Sequence, residues 1–213
     1  MGSKPTIRIK GEHITFPRLW SAAAHFRELG DETPVGSYFE YLAASVFTYF
    51  AFEGFLNEIG RLVDPVAWQN ERKFFTQRGS GHVGTLGKLD YLAAKAGWTI
   101  DKNAAEYRSV EELQGARNFL GHHRSELFDA EYDADEYADV DTPAPEMDTY
   151  AQKGFVDRVM RDVETVSDAL LRAARATFPH QLEDRGTRAF SGGITGSFEK
   201  TRQVALSKLP TRR

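Results

Sequence analysis

Residues 36 to 63, GSYFEYLAASVFTYFAFEGFLNEIGRLV, constrain the fold more than any other stretch of the chain. Apolar side chains recur in it at spacings of three and four, the period that places them on one face of an α-helix. The recurring positions are Leu42, Val46, Tyr49, Phe52, Leu56, Ile59 and Val63. A helix this long and this apolar on one side has to be covered by other helices or by a sheet.

The rest of the chain supplies helices. Helical patterns occur at 18–29, 65–78, 85–97, about 104 to 128, and from 148 onwards. The last of these carries one apolar stripe, formed by Phe155, Val159, Val163, Val166 and Leu170. Helix boundaries are predicted at Gly30, at Asp64-Pro65, at Gly97 and at Pro179. Only residues 5 to 16 alternate weakly, as a short strand or an extended arm would. We therefore predict an all-α helical bundle.

Composition limits the domain count and the chemistry. The 213 residues are 41% hydrophobic, enough for one sizeable core, and include no cysteine. A disulfide framework, a thiolate zinc site and a cysteine nucleophile are thus excluded. No signal peptide pattern and no apolar run of membrane-spanning length is present, so we expect no membrane segment and a cytoplasmic location.

Charge is unevenly distributed along a chain whose formal net charge is −4, which gives no global attraction to nucleic acid. Residues 129–148 contain nine acidic and no basic side chains, which predicts a solvated acidic loop. From Arg185 onwards seven basic residues face one acidic residue. This segment is either a disordered basic tail or a tail that contacts RNA phosphates.

Three familiar kinds of site are not supported. The stretch GSGHVG, 79–84, satisfies G-x-G-x-x-G, but a charged helical segment precedes it where a dinucleotide site needs a buried strand. No two histidines have the i, i+4 spacing of a helical metal site, and no G-x-S-x-G motif supports a serine triad. We expect neither a metal nor an organic cofactor.

The stretch ARNFLGHHRSE, residues 116 to 126, is the densest in side chains that bind phosphate or transfer protons. Arg117 and His122 form an R-x4-H pair, which combines a proton-transferring imidazole with a phosphate-binding guanidinium. Chance alone predicts roughly half a match to this pattern in such a chain. The pattern indeed recurs at Arg8–His13 and Arg175–His180, but Gly11 and Pro179 interrupt those pairs.

Helical phase separates the residues of this stretch. The core stripe is formed by Leu113, Ala116, Leu120 and Leu127, and at 100° per residue Asn118 and His122 fall on the opposite side. Those two point outwards, one turn apart, whereas His123 falls beside the stripe and suits a packing role. A solvated helix face carrying no chemistry remains the alternative.

The combination of EGFLNEIG on the first long helix with ARNFLGHH on a later one resembles the HEPN superfamily of all-helical domains. Its hallmark is R-x4-6-H with a polar residue after the arginine, here Arg117, Asn118 and His122. Glu53 and Asn57 resemble the polar pair on the family's early helix. The resemblance covers residues 36–178, so that 1–35 form an N-terminal arm with a short helix and 179–213 a flexible basic tail.

The resemblance implies a metal-independent endoribonuclease that acts on RNA as a homodimer, in a toxin-antitoxin or antiviral setting with a further partner protein. His122 would act as general acid and base, Arg117 would stabilise the charged phosphate and Asn118 would orient the site. His123 also satisfies the looser spacing, so either imidazole could act. The alternatives are a catalytically silent HEPN-like interaction or nucleotide-binding module and a plain helical scaffold.

Overall fold

The computed structural model describes residues 14–33, 35–122 and 143–190, and the backbone of 6–11 and 198–203. Within these ranges the chain is an all-α bundle with one two-stranded ribbon, which confirms the predicted fold class. The helices are α1 (Phe16–Glu32), α2 (Tyr38–Val63), α3 (Pro65–Gln69), α4 (Glu71–Phe74), α5 (Gly84–Lys95), α6 (Ala105–Gly121), α7 (Glu146–Tyr150) and α8 (Lys153–Thr177). The strands are β1 (Thr6–Gly11) and β2 (Phe198–Gln203).

Helix α2 lies at the centre of the bundle, with α1, α5, α6 and α8 packed around it. The middle of its predicted apolar stripe is buried, from Tyr49 through Phe52 and Leu56 to Ile59, whereas the outer positions Leu42, Val46 and Val63 are half-buried. The stripe of α8 is buried over its whole length. Ser109 of α6 donates a hydrogen bond of 2.6 Å to buried Asp162 of α8, which fixes these two helices against each other.

Three predicted helix boundaries are confirmed, including the one at Pro179, since α8 ends at Thr177, and one is wrong. Asp64 accepts a hydrogen bond from the Ala67 backbone N–H at the start of α3, and Gly97 takes a positive φ of 70° just after α5. Gly30, in contrast, does not end α1. It is buried where a Cβ would lie 2.7 Å from the Tyr41 ring, so the glycine serves a close helix contact.

Two predicted segments differ from the structure. The stretch predicted as one helix over 65–78 divides into α3 and α4 at Asn70. Helix α7 starts at Glu146, inside the predicted acidic loop 129–148, while residues 129–142 of that loop lie outside the described residues.

The segment predicted as a flexible tail from residue 179 is partly folded. Leu182, Ala189 and Phe190 are buried, and the Phe190 ring stacks on Trp20 at 4.0 Å between ring centroids. Phe190 also contacts Phe16 at the start of α1, at 6.1 Å. Residues up to 190 therefore belong to the bundle, which places the point where the chain leaves it beside the point where it enters.

Beyond residue 190, β2 pairs antiparallel with β1, in a register that joins Thr6 to Gln203 and Gly11 to Phe198. The prediction of a strand or an extended arm near the N-terminus is resolved in favour of the strand. None of the helices described here combines the length and apolarity needed to cross a lipid bilayer.

Candidate functional site

Arg117, Asn118 and His122 lie at the C-terminal end of α6. The helix was predicted to run to about residue 128, which is wrong: it ends at Gly121, and His122 follows as its cap, where its backbone N–H donates to the Asn118 carbonyl oxygen at 3.0 Å. Asn118 and His122 are exposed, as their helical phase predicts, and Arg117 is half-buried. Leu113 and Ala116 of the predicted stripe are buried, whereas Leu127, His123 and Arg124 lie outside the described residues.

The guanidinium of Arg117 is held between an aromatic ring and an amide. Its Cζ lies 5.6 Å from the centroid of the Tyr49 ring, and its Nη1 donates to Asn118 Oδ1 at 3.3 Å. The Arg117 head group is thereby turned towards Asn118, which lies one helical turn before His122. The three predicted residues are contiguous: Asn118 contacts Arg117 through its side chain and His122 through its backbone.

Within the described part of the chain, no carboxylate pairs with Arg117. Other half-buried arginines differ: Arg27 pairs with Asp157 at 2.7 Å, and Arg185 pairs with Glu58. A guanidinium over an aromatic ring keeps its in-plane N–H groups available, because the attraction acts through its face. Arg117 therefore retains donors for an anion at a position where its charge is already partly desolvated.

Tyr49 gives this arrangement its rigidity. The ring is buried, and its hydroxyl lies 2.6 Å from the Thr85 hydroxyl of α5, which is buried as well. Burial raises the pKa of Tyr49, so that the phenol stays neutral and hydrogen-bonded. The platform beneath Arg117 is thus fixed jointly by α2 and α5.

Gln114 ties α6 to α5 one turn before Arg117. Its Oε1 accepts a hydrogen bond of 3.1 Å from the backbone N–H of Leu86. Leu86 lies in the first turn of α5, where backbone donors have no partner inside the helix. This bond fixes the backbone that carries Arg117 relative to the helix that fixes Tyr49.

The polar pair Glu53 and Asn57 lies one and two turns beyond Tyr49 on α2, but it serves a different cation. The Lys88 ammonium donates to Asn57 Oδ1 at 2.9 Å, to Glu53 Oε1 at 3.3 Å and to the Glu71 carboxylate. Lys88 is only 4% exposed. Among the described residues, no hydrogen bond or ion pair joins this pair to Arg117 or His122.

Sequence reasoning missed Lys88. The available signal was its phase in α5, three residues after Thr85 and four before Leu92, which places a lysine on the core-facing side. A lysine at such a position needs acceptors, and three acceptors satisfy its three donors here. The cluster is complete without a ligand, so we regard it as a structural junction of α2, α4 and α5.

The competing motifs have structural explanations. Arg175 belongs to the pair with His180. Its Nη1 donates at 2.9 and 2.8 Å to the backbone carbonyls of Arg185 and Gly186, so this guanidinium binds the folded C-terminal segment. In the stretch 79–84, Gly81 and Gly84 take positive φ angles and form the turn into α5. The element before that turn is the helix α4.

A cleft among the described residues lies away from the motif. It has a volume of about 560 Å³ and opens between residues 14–16, α2 and α3, with Asn57, Glu58, Arg61 and Trp68 in its lining. Neither Arg117 nor His122 lines it. Asn118 and His122 are exposed, Arg117 is half-buried, and residues 123–142, which follow the motif, lie outside the described part of the chain.

The chain matches no protein-family model, no curated protein and no solved structure. The resemblance to the HEPN superfamily therefore depends on the quoted residues and their spacing. Among the described side chains, no three of His, Asp and Glu are grouped so that they could hold a metal ion.

Proposed function

We propose that the chain is a metal-independent endoribonuclease of the HEPN type, with Arg117, Asn118 and His122 as its catalytic residues. The observation that carries the proposal is the state of Arg117. Its guanidinium is partly buried on the Tyr49 ring, has no carboxylate partner among the described residues, and lies against the amide that precedes exposed His122 by one turn. Such a guanidinium has N–H donors available to bind an anion, because no ion pair among the described residues uses them.

The chemistry follows from the residue types. His122, as general base, removes the proton of an RNA 2'-hydroxyl, whose oxygen attacks the adjacent phosphorus. The bond from phosphorus to the 5'-oxygen breaks, and that oxygen leaves with a proton delivered by a general acid. The products are a 2',3'-cyclic phosphate and a 5'-hydroxyl. Arg117 stabilises the negative charge that builds up on the phosphorane, and Asn118 holds the guanidinium in place.

The proposed site includes a second copy of the chain. His122 is exposed among the described residues, so a cleft around the scissile phosphate takes walls from another molecule, and a second His122 supplies the general acid. Phe39 and Phe50 of α2 are 75% and 40% exposed, and eleven residues is close to three full turns, so they lie on one side of α2. Exposed aromatic side chains on a shared helix face support association with a partner surface.

The test is cleavage of single-stranded RNA in EDTA by purified protein, with analysis of the ends. We expect cyclic-phosphate ends from the wild type and a loss of about 100-fold or more in His122→Ala. His180→Ala is the matched control, because His180 is exposed and belongs to the other R-x4-H pair of the described residues. Full activity in His122→Ala would refute the assignment, and a parallel His123→Ala variant decides which imidazole acts.

A catalytically silent HEPN-like interaction or nucleotide-binding module is the second candidate. The observation that favours it is the cleft of about 560 Å³, whose lining combines Trp68 with the polar groups of Asn57 and Arg61. It predicts a dimer that cuts no RNA under any condition. For the nuclease in a toxin-antitoxin or antiviral setting, overexpression should arrest growth, and Arg117→Ala should relieve the arrest.

A further inference from the structure

The ribbon formed by β1 and β2 gathers basic residues from the two ends of the chain. Its twelve residues include Arg8 and Lys10 from β1 and Lys200 and Arg202 from β2, with Glu199 as their one acidic residue. The ribbon therefore carries a formal charge of +3 in a chain of net charge −4, which leaves −7 on all other residues. A polyanion is attracted to the ribbon and repelled by the average surface elsewhere.

The register distributes these positive charges over both faces of the ribbon. Directly opposite residues share a face in an antiparallel pair, and the faces alternate along each strand. Arg8 lies opposite Thr201 and Lys10 opposite Glu199 on one face. The other face holds the pairs Ile7–Arg202, Ile9–Lys200 and Gly11–Phe198.

The ribbon is not part of the bundle. Among the described elements, β1 and β2 contact each other and no helix. Phe190, the last described residue before the ribbon's second strand, packs on Phe16 and Trp20 at the start of α1. An isolated two-stranded ribbon is marginally stable in water. A bound partner stabilises the ribbon, because binding favours the folded form.

We propose that this ribbon is the surface that binds the phosphate backbone of single-stranded RNA. The inference rests on the proposed function for its choice of RNA among polyanions. Residues two positions apart along a strand share a face and are about 7 Å apart, so that the basic residues of each strand recur along one face as a row of positive charge. Phe198 adds an aromatic position, and basic grooves that carry aromatic side chains bind single strands with little sequence preference.

The test is the salt dependence of RNA binding, measured by fluorescence anisotropy with a labelled single-stranded RNA. All proteins carry both His122→Ala and His123→Ala, so that neither candidate imidazole can promote cleavage during the titration. The ribbon variant is Arg8→Gln, Lys10→Gln, Lys200→Gln and Arg202→Gln. The control variant changes four exposed cations elsewhere to Gln, with the same change in net charge, at Arg72, Lys73, Arg78 and Arg172.

With four phosphate contacts removed, the slope of log affinity against log salt should become shallower by about 3 in the ribbon variant. A fourfold rise in salt then costs the parent protein about 50-fold more affinity than it costs the variant. The control variant should keep nearly the parent slope. Thermal unfolding followed by circular dichroism should be unchanged in the ribbon variant, because the strands contact no helix.

Three results would overturn the inference. The ribbon variant could keep the salt dependence of the parent protein, or the control variant could lose as much salt dependence as the ribbon variant. The third result is binding of polyglutamate, but not of RNA, that depends on the ribbon. The last result would assign the ribbon to an acidic protein segment. Failure of the proposed nuclease is measured separately, by RNA cleavage with the wild type. A chain that binds RNA through the ribbon and cuts none would retain this inference and lose the proposed activity.

Discussion

Lys88 and Arg117 are both cations drawn into the interior beside helix α2, and they differ in what surrounds them. The Lys88 ammonium is almost fully buried and meets three acceptors, from Glu53, Asn57 and Glu71. Arg117 is half-buried, lies on the Tyr49 ring and meets one neutral amide. A buried ammonium with a full set of acceptors stabilises the fold, whereas a guanidinium with unused donors is available to a ligand.

Glu53 and Asn57, which resemble the polar pair of the family's early helix, both accept hydrogen bonds from Lys88 in this chain. The comparison predicts that substitutions at the two cations have opposite consequences. Changes at Arg117 should affect RNA cleavage with little effect on stability, and changes at Lys88 should do the reverse.

The largest expected effect is that of Arg117→Ala on catalysis. Loss of the guanidinium removes stabilisation of the phosphorane, and we expect kcat/KM for RNA cleavage to fall by about 100- to 1000-fold. Arg117→Lys should recover part of the activity, because it keeps the charge without the planar fork of donors. Arg172→Ala is the control, since Arg172 is an exposed arginine of α8 with no hydrogen bond or ion pair among the described residues. Equal losses in both variants would show that the loss is not specific to Arg117.

Lys88→Met should lower the free energy of unfolding by about 2 to 3 kcal/mol, measured by urea denaturation. The substitution leaves the two carboxylates without their cation. Because the Glu53 and Glu71 side chains are about one third exposed, at 32% and 34%, water offsets part of the cost. Lys102→Met, at a 59% exposed lysine paired with Asp90, should cost less than about 1 kcal/mol. Equal losses at the two lysines would remove the distinction between the buried cluster and a surface pair.

Asp64 is a second charged group with its hydrogen-bonding partners in place, and the pH dependence of stability tests its contribution. Hydrogen bonds from Lys95 and Tyr91 lower the pKa of Asp64 from 3.8 to about 2. A carboxylate with a depressed pKa stabilises the folded state above its unfolded value, and the contribution is lost as pH falls from about 4 to about 2. Asp64→Asn, which keeps a capping side chain, should therefore cost about 1 to 2 kcal/mol at pH 7 and little at pH 2. A difference that is constant with pH would contradict this.

The smallest expected effect separates the ring of Tyr49 from its hydroxyl. Tyr49→Phe keeps the platform under Arg117 and should keep the rate of RNA cleavage, while the lost bond to Thr85 costs about 1 kcal/mol of stability. Tyr49→Leu removes the ring, and we expect kcat/KM to fall about tenfold, the equivalent of a cation–π contact of about 1.4 kcal/mol. The two variants are compared at equal concentrations of folded protein. Identical kcat/KM values for Tyr49→Phe and Tyr49→Leu would show that the ring does not support Arg117.

Elements defined by local period were predictable from the sequence. Helix α2 was expected over 36–63 and spans Tyr38–Val63, and the stripe of α8 is buried residue by residue, since helical period and burial follow from the same apolar positions. The outward phase of Asn118 and His122 was predictable for the same reason. Their catalytic role stays a prediction.

Features that depend on distant parts of the chain were not predictable. The Tyr49 ring under Arg117, and the acceptors of Lys88 from α2 and α4, become visible only when the helices are packed. The strand partner of β1 comes from the far end of the sequence, in a segment that composition marked as a basic tail. Gly30 was predicted to end a helix, because its contact with the Tyr41 ring forms only when α1 and α2 pack together.

The most direct test of the central claim is cleavage, in EDTA, of an RNA that carries a single 2'-deoxy nucleotide. If His122 and Arg117 promote attack by the neighbouring 2'-hydroxyl, the wild-type protein should cut elsewhere along the strand, leave cyclic-phosphate ends, and leave the linkage after the deoxy nucleotide intact. Cleavage at that linkage, or 5'-phosphate ends in place of 5'-hydroxyl ends, would show that the neighbouring 2'-hydroxyl is not the nucleophile and would contradict the roles assigned to Arg117, Asn118 and His122.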